Sequence, residues 1–131
     1  MNYWGINALN HGSSLAVFNN GDLKFFQFSK ADELPSDQIK LALNWGGPDR
    51  LFWYERPWVK KARQLYAGQY RTAFRTDNLP STYIKQTRLN YAPVTYTPHH
   101  ASHAAAGYYT SPFNHCAIVV LDAIGEFEWL S

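Results

Sequence analysis

A hairpin signal near the N-terminus constrains the fold of this chain more than any other feature. Residues 19–22 (Asn-Asn-Gly-Asp) are turn residues, and Asn and Gly tolerate the positive φ angles that tight hairpins need. The flanking segments 15–18 and 23–28 are rich in apolar and aromatic side chains typical of strands. A further strand is predicted at 3–9, followed by turn residues at 10–14. We therefore expect three consecutive antiparallel strands.

The remainder of the chain alternates between helix and strand signals. Residues 36–38 (Ser-Asp-Gln) can cap a helix, and Thr97 and Pro98 are expected to begin the last helix as N-cap and first residue. The predicted order after the third strand is helix 36–43, strand 50–54, helix 57–67, strand 94–96, helix 97–109, a buried strand 116–122 and a strand signal at 125–129. Residues 68–92 are polar and receive no assignment.

This order predicts the fold class. Alternating helices and strands imply right-handed parallel crossovers onto one sheet. The expected architecture is α/β: a ribonuclease-H-like (actin/hexokinase-like) half domain, with three antiparallel strands followed by alternating helices and parallel strands.

The composition is that of an ordinary globular protein and does not indicate a nucleic-acid or membrane partner. The chain has 131 residues, of which 46% are hydrophobic, and this suits one domain or part of one. A formal net charge of +2 is too small to indicate a nucleic-acid or membrane partner. The single cysteine, Cys116, lies in an apolar run and is predicted to be buried, which fits a reducing compartment. With no signal-peptide pattern at the N-terminus, a cytoplasmic location is expected.

The richest local pattern is a histidine cluster at the start of the last predicted helix. His99 and His103 are four residues apart, so they share one helix face about one 5.4 Å pitch apart. Two imidazoles so placed can bind one metal ion, but two helical histidines also occur by chance as ordinary satisfied side chains. Asp122, at the end of the predicted buried strand, can supply a third ligand or can cap a turn. Two imidazoles and a carboxylate suit Fe(II), Mn(II) or Zn(II).

Several segments together resemble a known enzyme family. Residues 99–105 (His-His-Ala-Ser-His-Ala-Ala), 111–113 (Ser-Pro-Phe) and 120–127 resemble a signature of the nodulation-type and antibiotic-tailoring O-carbamoyltransferases. Residues 4–6 (Trp-Gly-Ile) and 11–16 resemble the opening strand and turn of that family.

The resemblance implies an activity and a domain organisation. In that family the N-terminal domain is related to the tRNA threonylcarbamoyl transferases, and a YrdC-like domain makes carbamoyl adenylate from carbamoyl phosphate and ATP. The N-terminal domain then passes the carbamoyl group to a hydroxyl of a sugar or natural product. By this resemblance, residues 1–131 are the N-terminal portion of the carbamoyltransferase domain of a longer enzyme. The second half and the YrdC-like domain are absent from the chain, so missing C-terminal domains or a homodimer partner are expected to complete it.

The resemblance also implies roles for individual residues. His99, His103 and Asp122 match the metal ligands of the family, where the metal is usually iron. His11 matches an active-site histidine that positions or deprotonates the acceptor hydroxyl. Lys30 matches a lysine that pairs with phosphate.

The sequence departs from the family pattern at two of the matched positions. Gly12 replaces the usual Asp after the active-site histidine, and Ala123 replaces the usual Gly after the ligand Asp.

A basic stretch in the middle of the chain leaves two interpretations open. Arg71 and Arg75 belong to a stretch between residues 56 and 88 that contains eight basic residues and a single acid, Asp77. They are candidates for contacting nucleotide phosphates, but such a run is more often a solvated surface. Interleaved aromatic residues would also suit single-stranded nucleic acid, although a nucleic-acid partner is not expected.

A second class of function remains open beside carbamoyl transfer. The chain would then be a non-catalytic remnant or a nucleotide-binding module that has the fold but no turnover.

Overall fold

The computed structural model describes residues 1–10, 12–125 and 128–130. In these ranges, the elements in chain order are β1 (Asn2–Asn10), β2 (Gly12–Asn19), β3 (Asp22–Ser29), α1 (Ser36–Leu43), β4 (Arg50–Trp53), α2 (Pro57–Tyr66), α3 (Tyr70–Ala73), α4 (Pro80–Gln86), β5 (Val94–Tyr96), α5 (His99–Tyr109), β6 (Leu121–Gly125) and β7 (Glu128–Leu130). The chain divides into two compact units, one of residues 1–53 and 75–95 and the other of residues 54–74 and 96–131.

The first unit is built on a mixed five-stranded sheet in the order β3-β2-β1-β4-β5. Strands β1, β2 and β3 pair antiparallel in sequence order, as the sequence predicts. Strand β4 pairs parallel to β1, with Tyr3 opposite Arg50 and Ile6 opposite Trp53. The crossover from the antiparallel strands to a parallel strand is therefore confirmed at β4.

The hairpin between β2 and β3 forms at the predicted turn. Asn20 has a φ of 53° and Gly21 a φ of 90°, so both central residues are in the left-handed region. Two consecutive positive φ angles are typical of the type I′ turn, whose twist matches that of the flanking strands. The local sequence therefore fixes the pairing of β2 with β3.

One face of this sheet carries the core of the first unit. Strand residues alternate between the two faces of a sheet, and Trp4, Leu15, Val17, Leu51 and Trp53 are at most 1% exposed. On β3, the side chains that lie on the opposite face of the sheet include large aromatic groups, and these are exposed.

Two helices cover the buried face. Ile39 and Ala42 of α1 are buried, as are Tyr83 and Ile84 of α4. The Tyr83 ring packs edge-on against Trp53, with 6.1 Å between the ring centroids. Sequence reasoning left residues 68–92 unassigned and therefore missed α4 and the short α3. Pro80 at the first turn of α4 was an available signal, because proline is favoured there.

The second unit contains α2, α3, α5 and the antiparallel pair β6–β7. Helices α2 and α5 agree with the predicted segments 57–67 and 97–109 to within two residues. Helix α5 begins at His99 with Pro98 as N-cap and no capping side chain, so the assignment of Thr97 as the cap was wrong. Helix α1 likewise has Pro35 as N-cap, and Ser36 is its first residue.

The prediction of a buried strand over 116–122 was wrong. The strand starts only at Leu121, and residues 116–120 belong to no strand. Cys116 is exposed, and Val119 and Leu121 are 67% and 77% exposed. An apolar run becomes a buried strand only where another layer covers it, and within the described residues β6 pairs with β7 alone. Asp122 is consequently the second residue of a strand and does not follow its end.

Residues 12–14, which the sequence predicts as part of a turn, belong to β2. Overall the protein is α/β, with the expected antiparallel start. Within the part of the chain that the structure describes, no helix is long and apolar enough to cross a membrane.

Candidate metal centre

Helix α5 brings two histidine rings together in its first two turns. His99 is its first residue and His103 lies one turn later on the same face. Their Nε2 atoms are 3.1 Å apart, and the ring centroids are 4.7 Å apart in an edge-on arrangement. The four-residue spacing therefore produces the convergence of imidazoles that it predicts.

Strand β6 adds a carboxylate to this pair. Asp122 Oδ2 lies 2.7 Å from His99 Nε2 and 3.9 Å from His103 Nε2. The three side chains form the His–Asp cluster, defined as His99, His103 and Asp122, whose ligand atoms all lie within 4.8 Å of one another. All three belong to the second unit.

The geometry of the cluster fits a metal ion better than it fits hydrogen bonding alone. A ring nitrogen carries either one hydrogen or one lone pair, so His99 Nε2 cannot donate to Asp122 and accept from His103 at once. A cation can accept a lone pair from all three atoms. A point about 2 Å from each of them exists inside the triangle they form, and about 2.0–2.2 Å is the usual length of metal–nitrogen and metal–oxygen bonds.

The three side chains differ in how much of their surface is exposed to solvent. The His99 side chain is 17% exposed and that of Asp122 29%, whereas that of His103 is 55% exposed. An ion held by the three atoms would be covered on the His99 side and reachable from solvent past His103.

Contacts from the segment after β4 hold the cluster in place. Ser102, between the two histidines, donates its hydroxyl to the Tyr54 carbonyl oxygen at 2.9 Å. The Tyr54 ring packs edge-on against the His99 ring, with 6.0 Å between centroids. Beside Tyr54, Glu55 forms an ion pair with Lys60 at 2.6 Å, and both side chains are largely buried. Removing either partner would leave an uncompensated buried charge, so this ion pair is costly to break.

The sequence of the chain matches a known protein family. A family model described as the carbamoyltransferase N-terminus matches residues 18–131. The chain belongs to the carbamoyltransferase family. The matched range contains the whole His–Asp cluster and begins after residue 11. No curated protein and no solved structure gives a significant match.

The other residues that the sequence predicts for a carbamoyltransferase site have different surroundings. His11 lies outside the described residues, so its assigned role stays a prediction. Lys30 is exposed in the bend after β3, in the first unit. Arg71 is exposed on α3, in the second unit.

Arg75 is exposed and engaged with a neighbouring carboxylate. Its guanidinium donates to both carboxylate oxygens of Asp77, at 2.9 and 2.5 Å. The hydrogen bond to Arg75 lowers the pKa of Asp77, and the same contact raises the pKa of Arg75. A phosphate binding at Arg75 would have to compete with Asp77.

The departure from the carbamoyltransferase pattern at Gly12 has a local structural reason. Gly12 has a φ of 93°, and a Cβ added there would lie 2.8 Å from the Ser29 carbonyl oxygen. An aspartate at this position would therefore be strained. The Gly12 N–H instead donates to the carboxylate of Asp32 at 3.1 Å, so an acid from the loop after β3 reaches the start of β2. Ala123 is the second position that departs from the family pattern, and its side chain is not among those that the structure describes.

Sequence reasoning missed Tyr54, Ser102 and Asp32. Tyr54 had an available signal, because it directly follows a parallel strand, and the carboxyl ends of such strands commonly carry site residues. Ser102 and Asp32 act through hydrogen bonds to distant backbone groups, and no sequence spacing indicates such contacts.

Proposed function

We propose that this chain carries the metal-binding part of an O-carbamoyltransferase domain. That domain passes a carbamoyl group from carbamoyl adenylate to a hydroxyl of a sugar or natural-product acceptor. The observation that carries the proposal is the convergence of His99, His103 and Asp122 on one point in a chain that belongs to the carbamoyltransferase family. The strand order β3-β2-β1-β4-β5 supports a ribonuclease-H-like (actin/hexokinase-like) fold for the domain.

The cofactor proposed for the cluster is a divalent metal ion, Fe(II) in particular. Two imidazole nitrogens and one carboxylate oxygen form a donor set that suits Fe(II) and neighbouring divalent ions. When bound, the ion supplies Lewis acidity that polarises the carbonyl of the carbamoyl group.

The residues of the chain have separate tasks in this proposal. His99 and His103 hold the ion from one helix face, and Asp122 compensates part of its positive charge. The ring of Tyr54 and the hydroxyl of Ser102 keep the helix and the His99 ring oriented. The exposed side, next to His103, is where the carbamoyl donor approaches.

Further elements of the proposal lie outside the cluster. His11 positions or deprotonates the acceptor hydroxyl, and Lys30, Arg71 and Arg75 contact phosphate groups of the nucleotide. Carbamoyl adenylate is made from carbamoyl phosphate and ATP by a YrdC-like domain, and C-terminal domains or a homodimer partner complete the enzyme. The reaction takes place in the cytoplasm.

Metal analysis tests the site assignment. The native gene product, purified without oxygen, is expected to contain about one divalent metal ion per chain. His99→Ala and His103→Ala should each lose it, because two remaining ligands bind an ion much more weakly. His115→Ala is the matched control, since His115 is exposed and lies outside the cluster. Metal that persists in His99→Ala and His103→Ala would contradict the assignment.

Product analysis distinguishes the enzyme from a non-catalytic remnant. The native gene product is incubated with radiolabelled carbamoyl phosphate, ATP and a panel of sugar and natural-product acceptors. Labelled carbamoyl ester that depends on His103 supports the proposal. A metal-loaded protein that labels no acceptor, or an equal yield from His103→Ala, would contradict carbamoyl transfer at this site.

A further inference from the structure

A cleft in the first unit is lined by none of the residues of the His–Asp cluster. It has a volume of about 340 Å³, within the range of small-molecule sites. The loop before α1, the start of α1 and the end of α4 line it. The lining residues are Glu33, Leu34, Ser36, Ile39, Tyr83, Gln86, Thr87 and Arg88.

The cleft holds one carboxylate and one guanidinium that are not paired with each other. Glu33 and Arg88 both line it, and both are exposed. Among the described residues, neither side chain takes part in an ion pair or a hydrogen bond. Opposite charges around one cleft, each without a protein partner, match a ligand that carries both charges itself.

The floor of the cleft offers a buried hydrogen-bond donor. Tyr83 is 5% exposed, and its hydroxyl oxygen accepts a hydrogen bond from the Leu34 N–H at 2.8 Å. A hydroxyl also has one hydrogen to donate, and no described residue accepts it. A tyrosine hydroxyl keeps this hydrogen at neutral pH, and burial raises the pKa of Tyr83 further. A ligand oxygen in the cleft would accept it.

The remaining floor is apolar. Leu34 is 6% exposed and Ile39 is 4% exposed. Since both side chains line the cleft, an aliphatic group of a ligand would be removed from water against them.

We propose that this cleft binds a free α-amino acid with an aliphatic side chain. The carboxylate of the ligand lies at Arg88 and the Tyr83 hydroxyl, its ammonium group lies at Glu33, and its side chain covers Leu34 and Ile39. A simple anion would meet the negative charge of Glu33, and a simple cation would meet the positive charge of Arg88. A zwitterion satisfies both charged groups, and the ligand is therefore of this chemical class. This inference does not depend on carbamoyl transfer or on the metal.

Calorimetric titration of the full chain with L-leucine tests the proposal. Isocaproate, which lacks the ammonium group, and isoamylamine, which lacks the carboxylate, are the matched probes. Leucine is expected to bind with a Kd of about 1 mM or below, and each probe at least tenfold more weakly.

Charge-removing variants locate the site. Arg88→Gln and Glu33→Gln should each weaken leucine binding about tenfold or more, and both change exposed side chains, so folding should be retained. Lys85→Gln is the control, because Lys85 is an exposed cation on α4 that does not line the cleft. No leucine binding at about 10 mM would overturn the proposal. So would isocaproate binding as tightly as leucine, or leucine binding that both cleft variants leave unchanged.

Discussion

The five-stranded sheet and the His–Asp cluster are held together by different kinds of interaction. In the sheet, Trp4 and Trp53 are at most 1% exposed, and apolar burial fixes their positions without any ligand. In the cluster, three polar atoms face one another, and His99 Nε2 cannot donate to Asp122 and accept from His103 at once. The sheet is therefore complete by itself, whereas the donor atoms of the cluster are placed so that they could hold a cation. Substitutions in the two regions should accordingly change different measured quantities.

The largest expected effect is on the stability of the sheet. Trp53→Ala removes a side chain that is 1% exposed and packed against Tyr83, and we expect a loss of about 3–5 kcal/mol in the free energy of unfolding. Urea denaturation measures it. The control is Trp45→Ala, where 49% of the side chain is exposed and a loss of about 1 kcal/mol or less is expected. Equal losses in the two variants would show that β4 does not form part of the core.

The next effect is on the cluster and concerns metal affinity. Asp122→Asn keeps the shape of the side chain and removes its charge, so we expect roughly tenfold to hundredfold weaker binding of Fe(II) or Co(II). Competition with a chromophoric chelator measures the affinity, and Asp37→Asn, an exposed acid on α1, is the control. Unchanged affinity in Asp122→Asn would remove this residue from the ligand set.

The smallest effect comes from the support of the cluster. Ser102→Ala deletes the hydrogen bond to the Tyr54 carbonyl oxygen and should weaken metal binding about threefold to tenfold, the equivalent of about 0.5–1.5 kcal/mol. Ser102→Thr keeps the hydroxyl and should restore most of the affinity. Ser81→Ala, on the exposed side of α4, should leave the affinity unchanged. If Ser102→Thr binds metal no better than Ser102→Ala, the hydrogen bond does not position the helix.

The same contrast explains how far the sequence predicts the fold. The strands β1 to β3 follow from alternation and from the turn at Asn20 and Gly21, which are local properties. The burial of residues 116–119 was predicted wrongly because burial depends on what covers a segment, and sequence composition does not contain that information. Helix α4 was missed because its apolar residues are few, although Tyr83 and Ile84 pack into the core.

The histidine pair of the candidate site was predictable because it depends on local spacing. The spacing of His99 and His103 on one helix is local, and the sequence places the two rings on one face. Asp122 comes from a strand 23 residues away from His99. It was named from its place at the end of a predicted buried strand, which the structure corrects, and from the family resemblance. The contribution of Tyr54 depends on tertiary packing and was seen only in the structure.

X-ray absorption of the Co(II)-loaded protein tests most directly whether the cluster binds a metal ion. We expect one ion bound by two imidazole nitrogens and a carboxylate oxygen at about 2.0–2.2 Å, with the imidazole signal halved in His103→Ala and unchanged in His115→Ala. A spectrum with oxygen ligands alone, or an imidazole signal that His103→Ala does not change, would contradict it.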